Sequence, residues 1–124
     1  MTVHHDWGIR RLYTEIKRDA KRRHYDFSLR PEWLSQTCKQ SCHYCGDPPK
    51  NVIRSRAKSG INLVFIYNGL DRMDNSVGYS EQNCVPCCII CNRAKNSMGY
   101  DEFMKWRERL IVHGTAAETD QSEA

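Results

Sequence analysis

The hydrophobic positions near the start of the chain repeat at the spacing of one helix face. These positions are Ile9, Leu12, Tyr13, Ile16 and Ala20. The opposite face is strongly basic, so the pattern predicts an amphipathic helix over residues 9–24 with Asp6 as its N-cap. Residues 1–8 would then form an N-terminal tail.

Shorter elements are predicted along the rest of the chain. Pro31 opens a short helix over 31–37, because proline suits the first turn of a helix. The residues predicted to reach the core here are Phe27, Leu29, Trp33 and Leu34. The stretch 47–60 is basic and poor in apolar residues, which predicts a mobile loop. The remaining predicted elements are a strand over 61–67, an extended run over 84–87, and helices over 89–97 and 100–113.

The charge of the chain is concentrated in its body. The formal net charge is +4, but residues 115–124 carry three acidic side chains and no lysine or arginine, which leaves +7 on the first 114 residues. A basic body favours a polyanionic partner such as DNA. Gly114 is predicted to cap the last helix, and the acidic tail 115–124 is predicted to be disordered.

Length and hydropathy point to one small domain. A chain of 124 residues buries a limited core, so a metal or disulfide staple would help it to fold. The sequence has no long apolar stretch of about 18 residues and no apolar signal-peptide centre. We therefore expect a cytoplasmic protein with reduced thiols and no membrane partner, which favours metal binding over disulfides.

The seven cysteines include two C-x-x-C pairs that suit a structural zinc site. The predicted ligands are Cys42, Cys45, Cys88 and Cys91. Cys84 and Cys87 form a competing C-x-x-C in an adjacent register. Cys88 and Cys91 are preferred because Cys91 directly precedes Asn92. Cys38 and Cys84 are read as small buried hydrophobic residues.

The segment 69–97, which contains GLDRMDNSVGYSEQNCVPCCIICNRAKNS, resembles the ββα-metal core of HNH nucleases. Its flanks resemble small phage-type members of that family. The resemblance implies an α+β fold in which residues 9–114 form the nuclease domain and a zinc-stapled core spans 42–97. It also implies Zn²⁺ as a structural ion, Mg²⁺ or Mn²⁺ as a catalytic ion, and a phage gene expressed in a bacterial host.

The same resemblance assigns roles to individual residues. Asp71 and Asn92 would hold one divalent cation through oxygen atoms, which suit Mg²⁺. Asn83 would fix the loop through backbone hydrogen bonds. Asp74 is a candidate extra ligand, or shapes the loop together with Asn75.

One position departs from the family pattern. Arg72 stands where the family has its general-base histidine, and arginine stays protonated, so it cannot abstract a proton. Either the domain is a degenerate nuclease that only binds DNA, or Arg72 clamps the scissile phosphate and another residue is the base. Some restriction endonucleases of this fold have a similar D-R…G-Y arrangement, which nominates Tyr79. His43 is a second candidate. Lowering a tyrosine pKa from about 10 to about 7 costs roughly 4 kcal/mol.

The predicted function is metal-dependent hydrolysis of phosphodiester bonds in double-stranded DNA by a monomer or a homodimer. The alternatives are a zinc-dependent DNA-binding module derived from a degenerate nuclease, and a zinc scaffold for a protein partner. The predicted catalytic residues are Asp71, Arg72, Tyr79, Asn83 and Asn92. The predicted DNA contacts are Arg10, Arg11, Lys17, Arg18, Lys21, Arg22, Arg23, Arg93 and Lys95.

Overall fold

The computed structural model describes the backbone of residues 3–56 and 62–123 and the side chains of residues 7–55 and 62–117. It is an α+β fold. The four helices are α1 (Val3–Arg22), α2 (Pro31–Thr37), α3 (Ile89–Lys95) and α4 (Tyr100–Glu123). The four strands are β1 (Asn51–Arg56), β2 (Asn62–Tyr67), β3 (Gly69–Arg72) and β4 (Cys84–Cys87).

The first half of the fold packs α1 and α2 on a two-stranded antiparallel sheet of β1 and β2. Ile53 pairs with Phe65, and both are buried. Phe65 lies so close to α1 that a Cβ on Gly8 would come within 2.2 Å of its ring. The buried residues of this apolar core are Ile9, Leu12, Leu34, Cys38, Ile53 and Phe65. The predicted helical stripe is therefore confirmed as a packing surface.

The second half packs α3 and α4 around a second antiparallel sheet of β3 and β4. Asp71 pairs with Val85, and Arg72 pairs with Cys84. The buried residues of this zinc-side core are Cys42, Tyr44, Cys87, Cys88 and Phe103. Three of these five residues are cysteines, and partly buried hydrophobic residues such as Met104 and Trp106 pack against them.

The structure corrects the predicted boundaries of α1 and α4. α1 begins at Val3, so residues 3–8 are helical rather than a tail, and Asp6 lies inside the helix rather than at its N-cap. Trp7 packs against the apolar core and extends the buried face of the helix. α1 ends at Arg22 rather than at residue 24. α4 continues through Gly114 to Glu123, so the predicted cap is wrong and residues 115–123 of the predicted disordered tail are helical. Ala124 lies outside the described residues. The alanine- and glutamate-containing sequence after Gly114 has no proline to stop the helix.

The prediction of a mobile loop over 47–60 is also corrected. Residues Asn51–Arg56 form β1, because pairing with β2 places Ile53 in the apolar core. Residues 57–60 of that predicted loop lie outside the described residues, as does Ile61 of the predicted strand. The short helix 31–37 and the extended run 84–87 are confirmed. The helix predicted over 89–97 ends at Lys95.

Two of the residues predicted to reach the core are only partly buried. Leu29 and Leu34 are buried, whereas Phe27 and Trp33 are half-buried. None of the helices in the described part of the chain has both the length and the apolar character needed to cross a bilayer.

Candidate functional site

Four cysteine side chains converge where the turn at residues 42–46 meets the start of α3. Their Sγ atoms all lie within 4.8 Å of one another and belong to Cys42, Cys45, Cys88 and Cys91. The Sγ atoms of Cys45 and Cys88 are 3.7 Å apart. Sulfur atoms on a zinc tetrahedron with Zn–S bonds of about 2.3 Å are separated by about 3.8 Å. The cluster can therefore hold one zinc ion, and the cysteines it brings together include Cys88 and Cys91 rather than Cys84 and Cys87.

The local backbone favours this arrangement of thiols. Gly46 has φ +79, a left-handed conformation that closes the first turn. The backbone N–H of Cys91 donates to Cys88 Sγ at 3.3 Å. Burial raises the pKa of Cys42, but the backbone N–H groups of Cys88, Cys45 and Tyr44 outweigh burial and lower it to about 7. These N–H groups favour the thiolate, which is the form that binds metal.

Two cysteines outside the cluster behave as small hydrophobic residues. Cys38 is fully buried in the apolar core, and Cys84 is buried on β4. Burial raises the pKa of Cys38 to about 11 and that of Cys84 to about 12. Both thiols therefore stay protonated and unreactive at neutral pH.

Asp71 lies on β3 and is buried against the zinc-side core. Its Oδ2 accepts a hydrogen bond from the Tyr44 hydroxyl at 2.6 Å. Lys95 Nζ lies 3.3 Å from the same oxygen and donates to the backbone carbonyl of Arg72 at 3.2 Å. Burial, followed by the bond to Asp71, raises the pKa of Tyr44, so its hydroxyl remains a donor. Asp71 is thus a carboxylate held in one orientation from two sides.

The buried position of Lys95 corrects one predicted role. Lys95 is fully buried and pairs with Asp71, so it is not available for the predicted phosphate contact. The reason is its position on the inner face of α3. Arg93 and Asn92 are exposed on the same helix. Asn92 precedes Lys95 by three residues, a spacing that places their Cβ atoms about 5–6 Å apart on one helix face.

Asp71 and Asn92 are therefore suitable donors for a hard cation. Lys95 brings the inner face of α3 against Asp71, and Asn92 lies one helical turn away towards solvent. Carboxylate and amide oxygens are the ligands that Mg²⁺ prefers, and Mg²⁺ needs few protein ligands because it keeps several waters. The residues present fit the cation that the sequence implied.

Arg72 follows Asp71 and points to the other face of β3. Its guanidinium carbon lies 3.6 Å from the centroid of the Tyr25 ring and 5.6 Å from that of Tyr79. Its Nη1 donates to the carbonyl oxygens of Asn75 and Val77, both at 2.8 Å. The residue is only 8% exposed. Arg72 therefore holds the loop and the aromatic pair, and its burial leaves little of it to clamp a phosphate.

Tyr25 reaches Arg72 because of how α1 ends. His24 has φ +61, and the N–H of Tyr25 donates to the carbonyl of Ala20 at 2.8 Å. This is the pattern of a Schellman cap, which turns the chain back across the helix end. The residue with the left-handed conformation at this cap is a histidine, whereas glycine or asparagine is the residue that usually marks such a cap in a sequence. Sequence reasoning missed Tyr25 for that reason.

Tyr79 lies where the two halves of the fold meet. Its N–H donates to the Asp26 carbonyl at 2.8 Å, and its carbonyl accepts from the Ser28 N–H at 2.9 Å. Gly78 makes this approach possible, since a Cβ there would lie 2.4 Å from the Asp26 carbonyl oxygen. Burial raises the pKa of Tyr79, and the positive charge of Arg72 only partly opposes this effect.

Asn83 fixes the loop between β3 and β4 through backbone hydrogen bonds. Its Nδ2 donates to the carbonyls of Asp74, Val77 and Gly78 at 3.0–3.2 Å. Its Oδ1 accepts from the Asp74 N–H at 2.9 Å. These are the contacts expected from the sequence. Asp74 itself accepts from the N–H and hydroxyl of Ser76, which shapes the loop.

The remaining candidates have other surroundings. His43 lies on the surface, within the turn at residues 42–46. Its Nε2 is 3.0 Å from the Tyr100 hydroxyl. Tyr44, its neighbour, was not assigned a role from the sequence. The only signal was its place in C-x-Y-C-G, which does not show that the hydroxyl reaches Asp71.

The basic residues of α1 all lie on its exposed side, and Arg23, directly after the helix, is exposed as well. They are Arg10, Arg11, Lys17, Arg18, Lys21, Arg22 and Arg23. Several are also paired within the helix, because Arg11 contacts Glu15, and Arg22 and Arg23 contact Asp19. These pairs are exposed and weak, so they do not prevent contact with a phosphate.

The sequence of the chain is similar to that of a viral protein. No protein-family model matches the chain. The chain is 30% identical over 92 residues to uncharacterized protein R423 of Acanthamoeba polyphaga mimivirus. That alignment covers 74% of this chain but only 15% of the length of the viral protein.

Among solved structures, the chain is similar to the rare-cutting HNH restriction endonuclease PacI. The TM-score is 0.60 at 22% sequence identity, and the match covers 87% of this chain and 81% of that chain. At 22% sequence identity, this similarity establishes the fold alone. The chain has an HNH-like fold with a four-cysteine cluster that can hold a metal ion.

Proposed function

We propose that this protein is a metal-dependent endonuclease of the small phage-type HNH kind that hydrolyses phosphodiester bonds in double-stranded DNA. Its active site would be the D-R…G-Y variant of some restriction endonucleases of this fold. One observation carries the proposal. An HNH-like fold holds the buried Asp71 carboxylate against α3, and places Arg72 beside Tyr79 on the other face of β3. The resemblance suggests products with 5′-phosphate and 3′-hydroxyl ends.

Asp71 and Asn92 are the proposed ligands of the catalytic cation. A bound Mg²⁺ or Mn²⁺ supplies Lewis acidity at the phosphate oxygens. The chain contributes a carboxylate of fixed orientation and an exposed amide. Asn83 keeps the loop that carries Tyr79 in one conformation through its four backbone hydrogen bonds.

Tyr79 is the proposed general base, which takes the proton of the attacking water on its phenolate oxygen. The reacting form is the minor one at neutral pH, because burial raises the pKa of the phenol. Arg72 opposes that shift and stabilises the phenolate. We assign Arg72 this electrostatic role and the support of the loop, in place of the phosphate clamp expected from the sequence.

The exposed basic side of α1, together with Arg93 on α3, is the proposed DNA-binding surface. Neutralising several phosphates releases counterions, so the affinity for DNA should fall steeply with salt. Zinc at the four-cysteine cluster is the proposed structural ion. The phage origin, the bacterial cytoplasm, the oligomeric state and the domain limits 9–114 stay predictions.

The proposal is tested by nicking of supercoiled plasmid with Mg²⁺ or Mn²⁺. Wild type should nick or cut, whereas Asp71→Ala and Asn92→Ala should lose activity at least about 100-fold while keeping bound zinc. Gln36→Ala serves as a control and should stay active, because Gln36 is exposed on α2, away from the candidate site. Inactive wild type that still binds DNA would instead identify a zinc-dependent DNA-binding module. The buried Arg72 and the raised pKa of Tyr79 favour this second candidate.

The same assay also tests whether Tyr79 is the general base. Below the pKa of Tyr79, the phenolate fraction and the cleavage rate should rise about tenfold per pH unit. Tyr79→Phe should abolish cleavage without weakening DNA binding. Full activity of Tyr79→Phe, or a rate that is flat with pH, would reject tyrosine as the base while leaving the nuclease proposal intact.

A further inference from the structure

The turn that carries two of the zinc-cluster cysteines also carries a direct contact to the candidate catalytic carboxylate. Tyr44 lies between Cys42 and Cys45, and its hydroxyl donates to Asp71 Oδ2 at 2.6 Å. The two residues are 27 positions apart in the sequence. One buried hydrogen bond therefore links the turn that supplies two cysteines of the zinc cluster to Asp71, the candidate ligand of the catalytic cation.

The position of Tyr44 is fixed by burial, by ring packing and by its place in the cysteine turn. The residue is 1% exposed, and its ring packs edge-on against Phe103 with centroids 4.9 Å apart. Its backbone follows Cys42, whose Sγ belongs to the four-cysteine cluster. The hydroxyl cannot swing away from Asp71 without moving the cysteine turn or breaking this packing.

The second contact on Asp71 comes from α3. Lys95 Nζ lies 3.3 Å from Oδ2 and is completely buried. Both contacts thus fall on the same carboxylate oxygen. When one oxygen of a carboxylate is held in place, the direction of its other oxygen is fixed as well. Removing such a hydrogen-bond partner of a metal ligand commonly changes metal affinity by about 10–100-fold.

We propose that Tyr44 is a positioning residue for the catalytic cation, which orients Asp71 through Oδ2 so that Oδ1 faces the ion. Lys95 completes the orientation from the side of α3. The turn at residues 42–46 then has two roles, because it supplies two cysteines to the cluster and sets the direction of Asp71. This inference rests on the proposed function, since it assumes that Asp71 binds a cation.

The test is Mn²⁺ binding by the zinc-loaded protein, measured from the electron paramagnetic resonance signal of free Mn²⁺. Tyr44→Phe should weaken Mn²⁺ binding at least about tenfold, because it removes only the hydroxyl and keeps the ring that packs on Phe103. Tyr100→Phe is the matched control. Its hydroxyl contacts His43 instead of Asp71, so its Mn²⁺ affinity should equal that of wild type. Zinc content and melting temperature show that each variant is folded.

Asp71→Ala separates this inference from the proposed function. If Asp71→Ala removes Mn²⁺ binding and Tyr44→Phe weakens it, the inference is supported. If Asp71→Ala removes binding but Tyr44→Phe matches wild type within twofold, Tyr44 is only structural and the nuclease proposal survives. If Asp71→Ala leaves Mn²⁺ binding unchanged, or wild type binds none, Asp71 holds no cation and both proposals fail. A weaker Mn²⁺ affinity with unchanged DNA affinity further distinguishes positioning from general loosening.

Discussion

The two halves of this protein are held together by different forces. The half with α1, α2, β1 and β2 has a core of aliphatic and aromatic side chains. The zinc side has a core in which three of the five buried residues are cysteines. It also buries Asp71, Arg72, Asn83 and Lys95, which have charged or polar side chains. Buried polar groups cost desolvation energy unless they are paired.

The comparison explains where chemistry can be placed in so small a domain. The core of the first half is apolar and holds none of the candidate site residues. The zinc side carries the candidate site, and its buried polar side chains are paired with one another or with backbone groups. The two halves meet at Tyr79, whose backbone bonds to Asp26 and Ser28 of the first half.

Removal of zinc should produce the largest effect, because structural zinc contributes about 10–16 kcal/mol in small domains. In Cys91→Ser, amide hydrogen exchange should become fast in β3, β4 and α3 while α1 and β2 keep protection. Cys84→Ala is the control, since this buried cysteine lies outside the cluster. Retained protection of β3 and β4 after zinc loss would mean that the zinc side folds by apolar packing as well.

The next effect tests the apolar half. Leu34 is fully buried, so Leu34→Ala should reduce the free energy of unfolding by about 2–5 kcal/mol in urea while zinc binding is kept. Val64→Ala should change it by less than about 0.5 kcal/mol, since Val64 is 47% exposed on the outer face of β2. Loss of zinc in Leu34→Ala would show that the two halves fold as one unit.

The smallest effect on stability is expected at the junction between the halves. Gly78→Ala places a methyl group about 2.4 Å from the Asp26 carbonyl oxygen, which should cost about 1–3 kcal/mol and displace Tyr79. We expect plasmid cleavage to fall more than Mn²⁺ affinity does, because Asp71 lies on the other side of β3. Gly99→Ala is the control, as a Cβ there meets nothing within 4 Å. Normal cleavage by Gly78→Ala would argue against an active-site role for the Tyr79 loop.

Much of the fold follows from local sequence patterns. The stripe of α1, the proline at the start of α2 and the run Cys84–Cys87 each carry their own periodic or residue-specific signal. β1 was missed because its apolar content is small, and its strand character comes from pairing with β2. The extent of α4 was underestimated because Gly114 and the acidic tail resemble an end, although helix propensity continues past them.

The sequence by itself determined the four cysteines that can hold a metal ion, the positions of Asp71 and Tyr79 in a recognisable motif, and the basic side of α1. Spacing is a local property, so two C-x-x-C pairs are visible before the chain is folded. Only the tertiary structure decided that Lys95 is buried against Asp71, that Tyr44 holds the same oxygen, and that Tyr25 stacks on Arg72. Each of these contacts joins residues more than 20 positions apart, and whether a charged side chain meets solvent or a partner depends on which distant elements pack against it.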